Sequence, residues 1–301
     1  MPARPPVLIA TCWTTAGDVR PDRADNLGRF ALAERIDAAA RAGYRGFGFW
    51  LGDLLAWRES GRDYATLRRL LGDAGIETVE LEFLSDWHAS GERRSRSDAA
   101  RTALFEAADA LGARHLKVMP PFLPDDLTGS ALSEEFAALC DDARRHRLAI
   151  GLEMLPFSRL PNLPSALAMV EAADAANGGL LIDIWHVMRS GGSVDDVSTI
   201  PANHIVSIEL CDALLAVAGT LGEDTMCRRR LCGEGEFDVR GFIAALERTG
   251  YQGPFGVEIL ADDFRKLTLD EACHRSFDTS AVQLDVAALG QPIERPQALP
   301  S

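Results

Sequence analysis

No C-x-x-C pair occurs among the six cysteines (Cys12, Cys140, Cys211, Cys227, Cys232 and Cys273). Scattered thiols of this kind are expected to be reduced, in a reducing compartment. No stretch approaches transmembrane length, and the opening "MPARPPVLIATCW" lacks a signal-peptide apolar core followed by a small-residue cleavage site. A cytoplasmic protein is the expectation. Positive charge is scarce: 31 Lys+Arg stand against 45 Asp+Glu, for a formal net charge of −14. A chain this acidic is poorly suited to a phosphate backbone or an anionic membrane. Neither nucleic acid nor membrane is therefore expected as a partner. "GEGEF" at 233–237 is too short and wrongly placed for a phosphate-binding loop.

What is present is ordinary globular material, 47% hydrophobic and 25% charged over 301 residues, enough for a sizeable core. Eight runs read as strands: "VLIAT" from 7, "GFGFW" from 46, "TVELEFL" from 78, "HLKVMP" from 115, "AIGLEML" from 149, "LLIDIW" from 180, "HIVSIELC" from 204 and "FGVEIL" from 255. Amphipathic stretches such as "FALAERIDAAARAG" and "VRGFIAALERTG" separate them, and several end in a glycine suited to a helix C-cap. Repeated strand–helix units with strands apolar on both faces predict an α/β fold, a single (β/α)8 TIM barrel over residues 1–290 with a tail at 291–301. Helix-to-strand connections are short and strand-to-helix connections long, from "WTTAGDVRPDRADNLGRF" to the stretch 212–237. Those long loops would all emerge at the C-terminal face, where barrel active sites are built.

Four strands share an aliphatic residue followed by Glu and further apolar residues: Glu82, Glu153, Glu209 and Glu258. Asp183 occupies the equivalent place in "LLIDIWH" and is followed three residues later by His186. Carboxylates converging on one barrel mouth cannot all stay ionised unless a cation sits among them, and a hard divalent ion is the economical one. Lys117 lies on the fourth strand and can face the same mouth. Trp13, Trp50, Trp87 and His88 begin or lie in loops on that face, where aromatic rings could wall a substrate.

"GLEML", "LIDIWH", "IELCDA", "RRLCGEGEFD" and "GYQGPFGVEIL", in this order and spacing, resemble the xylose isomerase-like TIM barrels, often labelled sugar phosphate isomerase/epimerase. The resemblance covers most of the chain and is strongest over 149–260. It implies that Glu153 and Glu258 are metal ligands doubling as an acid/base pair, with Asp183 a third ligand. It also implies that His186 hydrogen-bonds a substrate hydroxyl and that Arg229, with Arg228 or Arg230 as alternatives, contacts substrate. Where the family usually has a His in "H-L-x-D", this chain has Glu209. With Glu209 as a fourth ligand, an all-oxygen site should prefer Mn²⁺ or Mg²⁺ to Zn²⁺.

These readings predict a metal-dependent isomerase or epimerase of a ketose or related polyhydroxy carbonyl compound. One Glu would take the α-proton to give a metal-stabilised enediolate and the other would return it, with Lys117, Trp13 and Trp50 completing the substrate site. The alternative is a lyase or dehydratase using the same enolate chemistry on an inosose, a dehydroshikimate or a 3-keto-glycoside. A sugar-binding barrel without catalysis is a third reading. A phosphodiesterase like endonuclease IV is disfavoured, because its His-rich metal cluster finds six His in this whole chain. The expected partner is a small carbohydrate-like molecule, with room for a homo-oligomer.

Overall fold

The computed structural model describes residues 6–122 and 129–289, so the segment read as a tail, 291–301, lies outside the described residues. Each of the eight strand runs contains a strand: β1 (Leu8–Ala10), β2 (Gly46–Trp50), β3 (Thr78–Leu84), β4 (His115–Val118), β5 (Ala149–Glu153), β6 (Gly178–Asp183), β7 (Ile205–Leu210) and β8 (Phe255–Val257). They pair in parallel in sequence order, and β8 closes on β1, giving one (β/α)8 barrel. Strand ends differ from the sequence reading where a backbone turn intervenes. β6 starts two residues early, at Gly178, and the run from 180 breaks after Asp183, whose carboxylate accepts the Trp185 N–H (2.7 Å) and caps the helix Ile184–Arg189.

The helices follow from the apolar spacing. In Val239–Thr249 the buried Val239, Phe242, Ile243 and Leu246 recur at three- and four-residue intervals and form the stripe laid on the barrel. That helix stops at Gly250, where φ is +85°, a left-handed conformation that costs glycine nothing.

Strand alternation puts every second side chain inside the barrel. Glu80 and Glu82 of β3 share one parity, as do His115 and Lys117 of β4. Lys117 reaches Glu209 of β7, a contact between non-adjacent strands that is available only across the interior. The barrel core is therefore charged in its upper half. Gly48 of β2 makes room for this, since a Cβ there would stand 2.7 Å from Glu80 Oε1.

A second buried ion pair braces the long loop after β1. Arg35 Nη1 lies 2.5 Å from Asp53 Oδ2, Arg35 also donates to Thr15 Oγ1 (3.0 Å) and the Cys12 carbonyl (2.8 Å), and Asp53 Oδ1 accepts the Gly28 N–H (2.8 Å). Asp53→Ala leaves that guanidinium buried without its counter-charge. The expected cost is about 3–5 kcal/mol of folding stability, read as a lower urea midpoint with an unchanged slope.

Candidate active site at the barrel mouth

Strand register brings the carboxylates together before any side chain is considered. Asp183 and Glu209 are paired positions on β6 and β7, Glu153 ends β5, and Glu258 follows β8 directly. One oxygen each from Glu153, Asp183, Glu209 and Glu258 lies within 4.8 Å of the others, and all four residues are buried. Because the chain turns into a helix after Asp183, His186 swings back over the mouth. Its Nε2 lies 3.0 Å from Glu153 Oε1 and 3.6 Å from Asp183 Oδ2.

Two cations face this ring. Arg229 Nη1 lies 2.6 Å from Asp183 Oδ2 and 3.1 Å from Glu258 Oε2. Lys117 Nζ is hydrogen-bonded to Glu209 Oε1, with Glu82 at 3.1 Å, Glu80 at 3.4 Å and Glu258 at 4.0 Å. Arg228 and Arg230, the neighbouring candidates, are exposed. Arg229 is aimed by the segment around it. Arg230 exchanges two backbone hydrogen bonds with Asp212, and the buried Asp212 carboxylate accepts N–H groups from Gly233, Gly235 and Phe237. The "GEGEF" amides thus bind a side chain of this protein.

Charge does not balance. Lys117 and Arg229 face five carboxylates: Glu82, Glu153, Asp183, Glu209 and Glu258. Glu80, deeper in the barrel, has its own partner in His115 (Nε2 to Oε2, 3.1 Å). Burial pushes Asp183 up, but Arg229 more than offsets this and holds it below the ordinary carboxylate range. Burial likewise acts against the Lys117 ammonium, yet Glu209, Glu80 and Glu82 keep it protonated. The excess falls on the other three: burial and neighbouring carboxylates raise Glu82 and Glu209, and Glu258 is raised to about 8. Glu209 Oε2 and His186 Nδ1 are buried without a hydrogen-bond partner. An all-oxygen cluster with surplus negative charge and an unsatisfied oxygen fits a hard divalent cation held by Glu153, Asp183, Glu209 and Glu258.

Above the ring opens a cavity of about 390 Å³, into which Glu82, Lys117, Glu153, His186, Arg229 and Glu258 all face. Trp13 lines it too. Trp50 does not. It packs behind, between Trp13 (centroids 5.5 Å) and Phe83 (4.9 Å), because a tryptophan at the end of β2 is turned against the short helix Cys12–Thr15 that follows β1 and against β3. Trp87 is buried, donates to the Met119 carbonyl (2.8 Å) and packs edge-on against His88, so neither lines the cavity. The sequence reading passed over Glu80 and His115, although each lies two residues before a residue it singled out. It also passed over Phe122 and Phe157, which sit in two of the long loops.

The model of the xylose isomerase-like TIM barrel family matches residues 36–276. The 3-dehydroshikimate dehydratase of Pseudomonas aeruginosa is 31% identical over 237 residues, 78% of this chain but 37% of that protein. The inosose isomerase of Halalkalibacterium halodurans is 22% identical over 183 residues, 59% of this chain and 64% of the relative. The chain thus spans less than two thirds of either curated relative. An IolI protein solved with a bound zinc atom superposes with a TM-score of 0.80 at 18% identity, covering 93% of this chain and 98% of that one.

A carboxyl whose pKa is raised on folding binds its proton more tightly in the folded state, so stability falls as pH rises from the unfolded value to the folded one. For Glu258 that window runs from about 4.5 to about 8. In chelator, the urea midpoint should fall across this window. Glu258→Gln should flatten the fall.

Proposed function

This chain belongs to the xylose isomerase-like TIM barrel family, and on that premise we propose a divalent-metal-dependent enzyme that removes the proton α to the carbonyl of a polyhydroxy carbonyl compound and expels a β-hydroxyl as water. The observation that carries the reading is the buried ring of Glu153, Asp183, Glu209 and Glu258, with surplus negative charge, opening into a cavity. Glu153, Asp183, Glu209 and Glu258 would hold the ion, and their oxygen-only donor set favours Mn²⁺ or Mg²⁺. When bound, the ion supplies Lewis-acid polarisation of a substrate carbonyl.

The side chains divide the proton work by their surroundings. Glu258 stands against the Arg229 guanidinium at 3.1 Å. Glu153 stands against the His186 imidazole at 3.0 Å. Two carboxylates in different electrostatic settings can be held in different protonation states, which leaves one of them free to act as the base. One takes the α-proton, and the C–H electrons form the new C=C bond. As the β-C–O bond breaks, its oxygen takes a proton from His186, which lines the cavity, and leaves as water. Arg229 and Lys117 stay cationic throughout and hold the negative charge that develops on the substrate oxygens.

Dehydration is preferred over the isomerase or epimerase favoured by sequence alone, because the dehydratase relative matches more of this chain at higher identity than the inosose isomerase does. Isomerisation needs the same first step and differs in where the proton returns. Glu153 and Glu258 both face the cavity, which keeps that second reading open.

Glu153→Gln and Glu258→Gln should each lower turnover by at least about a hundredfold while the protein remains folded by circular dichroism. A panel of cyclic keto-polyols and ketoses, run in D₂O with Mn²⁺, decides the class. Loss of water by mass spectrometry selects the dehydratase, and deuterium at the α-carbon without loss of water selects the isomerase. Full activity in folded, chelator-stripped protein overturns both.

A further inference from the structure

The floor and the rim of the cavity differ sharply in chemistry. The floor carries the carboxylates, Lys117, Arg229 and His186. The rim is apolar, built from Trp13, Phe83, Phe122, Leu155, Phe157 and Leu260. Its polar side chains are mostly engaged already: Asp22 by Arg20, Asp86 by Arg93 and the Thr225 hydroxyl by Arg229. Ser85 is left to meet a ligand's outer hydroxyls. A sugar carrying hydroxyls along its whole length would lose water at the rim and recover few hydrogen bonds.

Phe122 and Phe157 sharpen the point. At 46% and 38% exposure they are the exposed aromatic side chains among the described residues, and both border this cavity. Their rings lie within 8° of parallel with centroids 6.2 Å apart. The pair is held by backbone: Phe122 forms an antiparallel bridge to Ser158, and the Arg159 N–H donates to the Pro121 carbonyl (2.9 Å). An aromatic lip braced in this way and left facing water is a surface built to be covered.

We propose that the substrate has two parts: a hydroxylated carbonyl head that sits on the polar floor, and a flat apolar body, an aryl group or conjugated ring, that covers the lip formed by Phe122 and Phe157. The head rests on the function proposed above; the body is the new element. The volume agrees, since about 390 Å³ falls in the range of pockets that enclose drug-sized ligands.

Three α-hydroxyketones, which carry a hydroxylated carbonyl but no β-hydroxyl to expel and so report binding alone, test this: hydroxyacetone, and the analogues in which a benzyl or a phenethyl group replaces its methyl. Each is titrated by calorimetry into Mn²⁺-loaded protein. The better-fitting aryl analogue should bind at least about tenfold more tightly than hydroxyacetone. The double substitution Phe122→Ala, Phe157→Ala should erase that difference. If hydroxyacetone binds and neither aryl analogue binds more tightly, the apolar body is overturned and the head reading stands. If the aryl gain survives in the double variant, the lip is not its seat and the proposal fails. If none of the three binds, the reading of the floor fails and takes the proposal with it.

Discussion

Lys117 is one of two lysines in the chain, and it is buried at the centre of the barrel among the carboxylates of Glu80, Glu82 and Glu209, with Glu258 at 4.0 Å. An ammonium placed there alone would shed its proton, and the carboxylates alone would take protons up. Together with Arg229 it fixes where the negative charges can stand. It does not neutralise them. A network that closed on itself would be architecture. This one leaves carboxyls above their ordinary range and a bare oxygen on Glu209, so it is completed only by protons or by a cation.

The fold meets this constraint by several local means. Strand parity points Glu82, Lys117, Glu153, Asp183 and Glu209 inward from five successive strands, and Gly48 leaves the space that buried Glu80 fills. Asp183 both caps a helix and anchors Arg229, so the turn that ends β6 also sets the cation's position. Asp212, next to the mouth, has its carboxylate occupied by backbone amides, which keeps one more negative charge out of the ring. The remaining investment is apolar: Trp13, Phe83, Leu155 and Leu260 line the cavity above the ring and set its charges against low-dielectric side chains.

The barrel was legible in the sequence because parallel strands buried on both faces leave continuous apolar runs, and a charge inside such a run is conspicuous. Glu153, Asp183, Glu209 and Glu258 stood out for that reason, and register alone brings them together. Lys117 was visible as a strand residue, but not as the hub of the ring, since a strand reading does not show which residues meet across a barrel. Glu80 and His115 form a pair deep in the interior that the same two-residue period would have disclosed. Trp50 could not be placed by the same means. Its position at a strand end is compatible with lining the mouth, and only packing against Trp13 and Phe83 turns it behind the wall. The lip of Phe122 and Phe157 depends on a bridge between two loops, a relation with no local signal in the chain.

The proposed function requires that the uncompensated carboxylate ring take up one divalent ion. Calorimetric titration of chelator-stripped protein with Mn²⁺ at neutral pH, repeated in two buffers of different ionisation enthalpy, counts both the ions bound and the protons displaced. One ion per chain is expected, with proton release, because burial raises Glu258 to about 8 and the ion must displace the proton it carries at neutral pH. Saturable binding without proton release, or no binding at all, would contradict it.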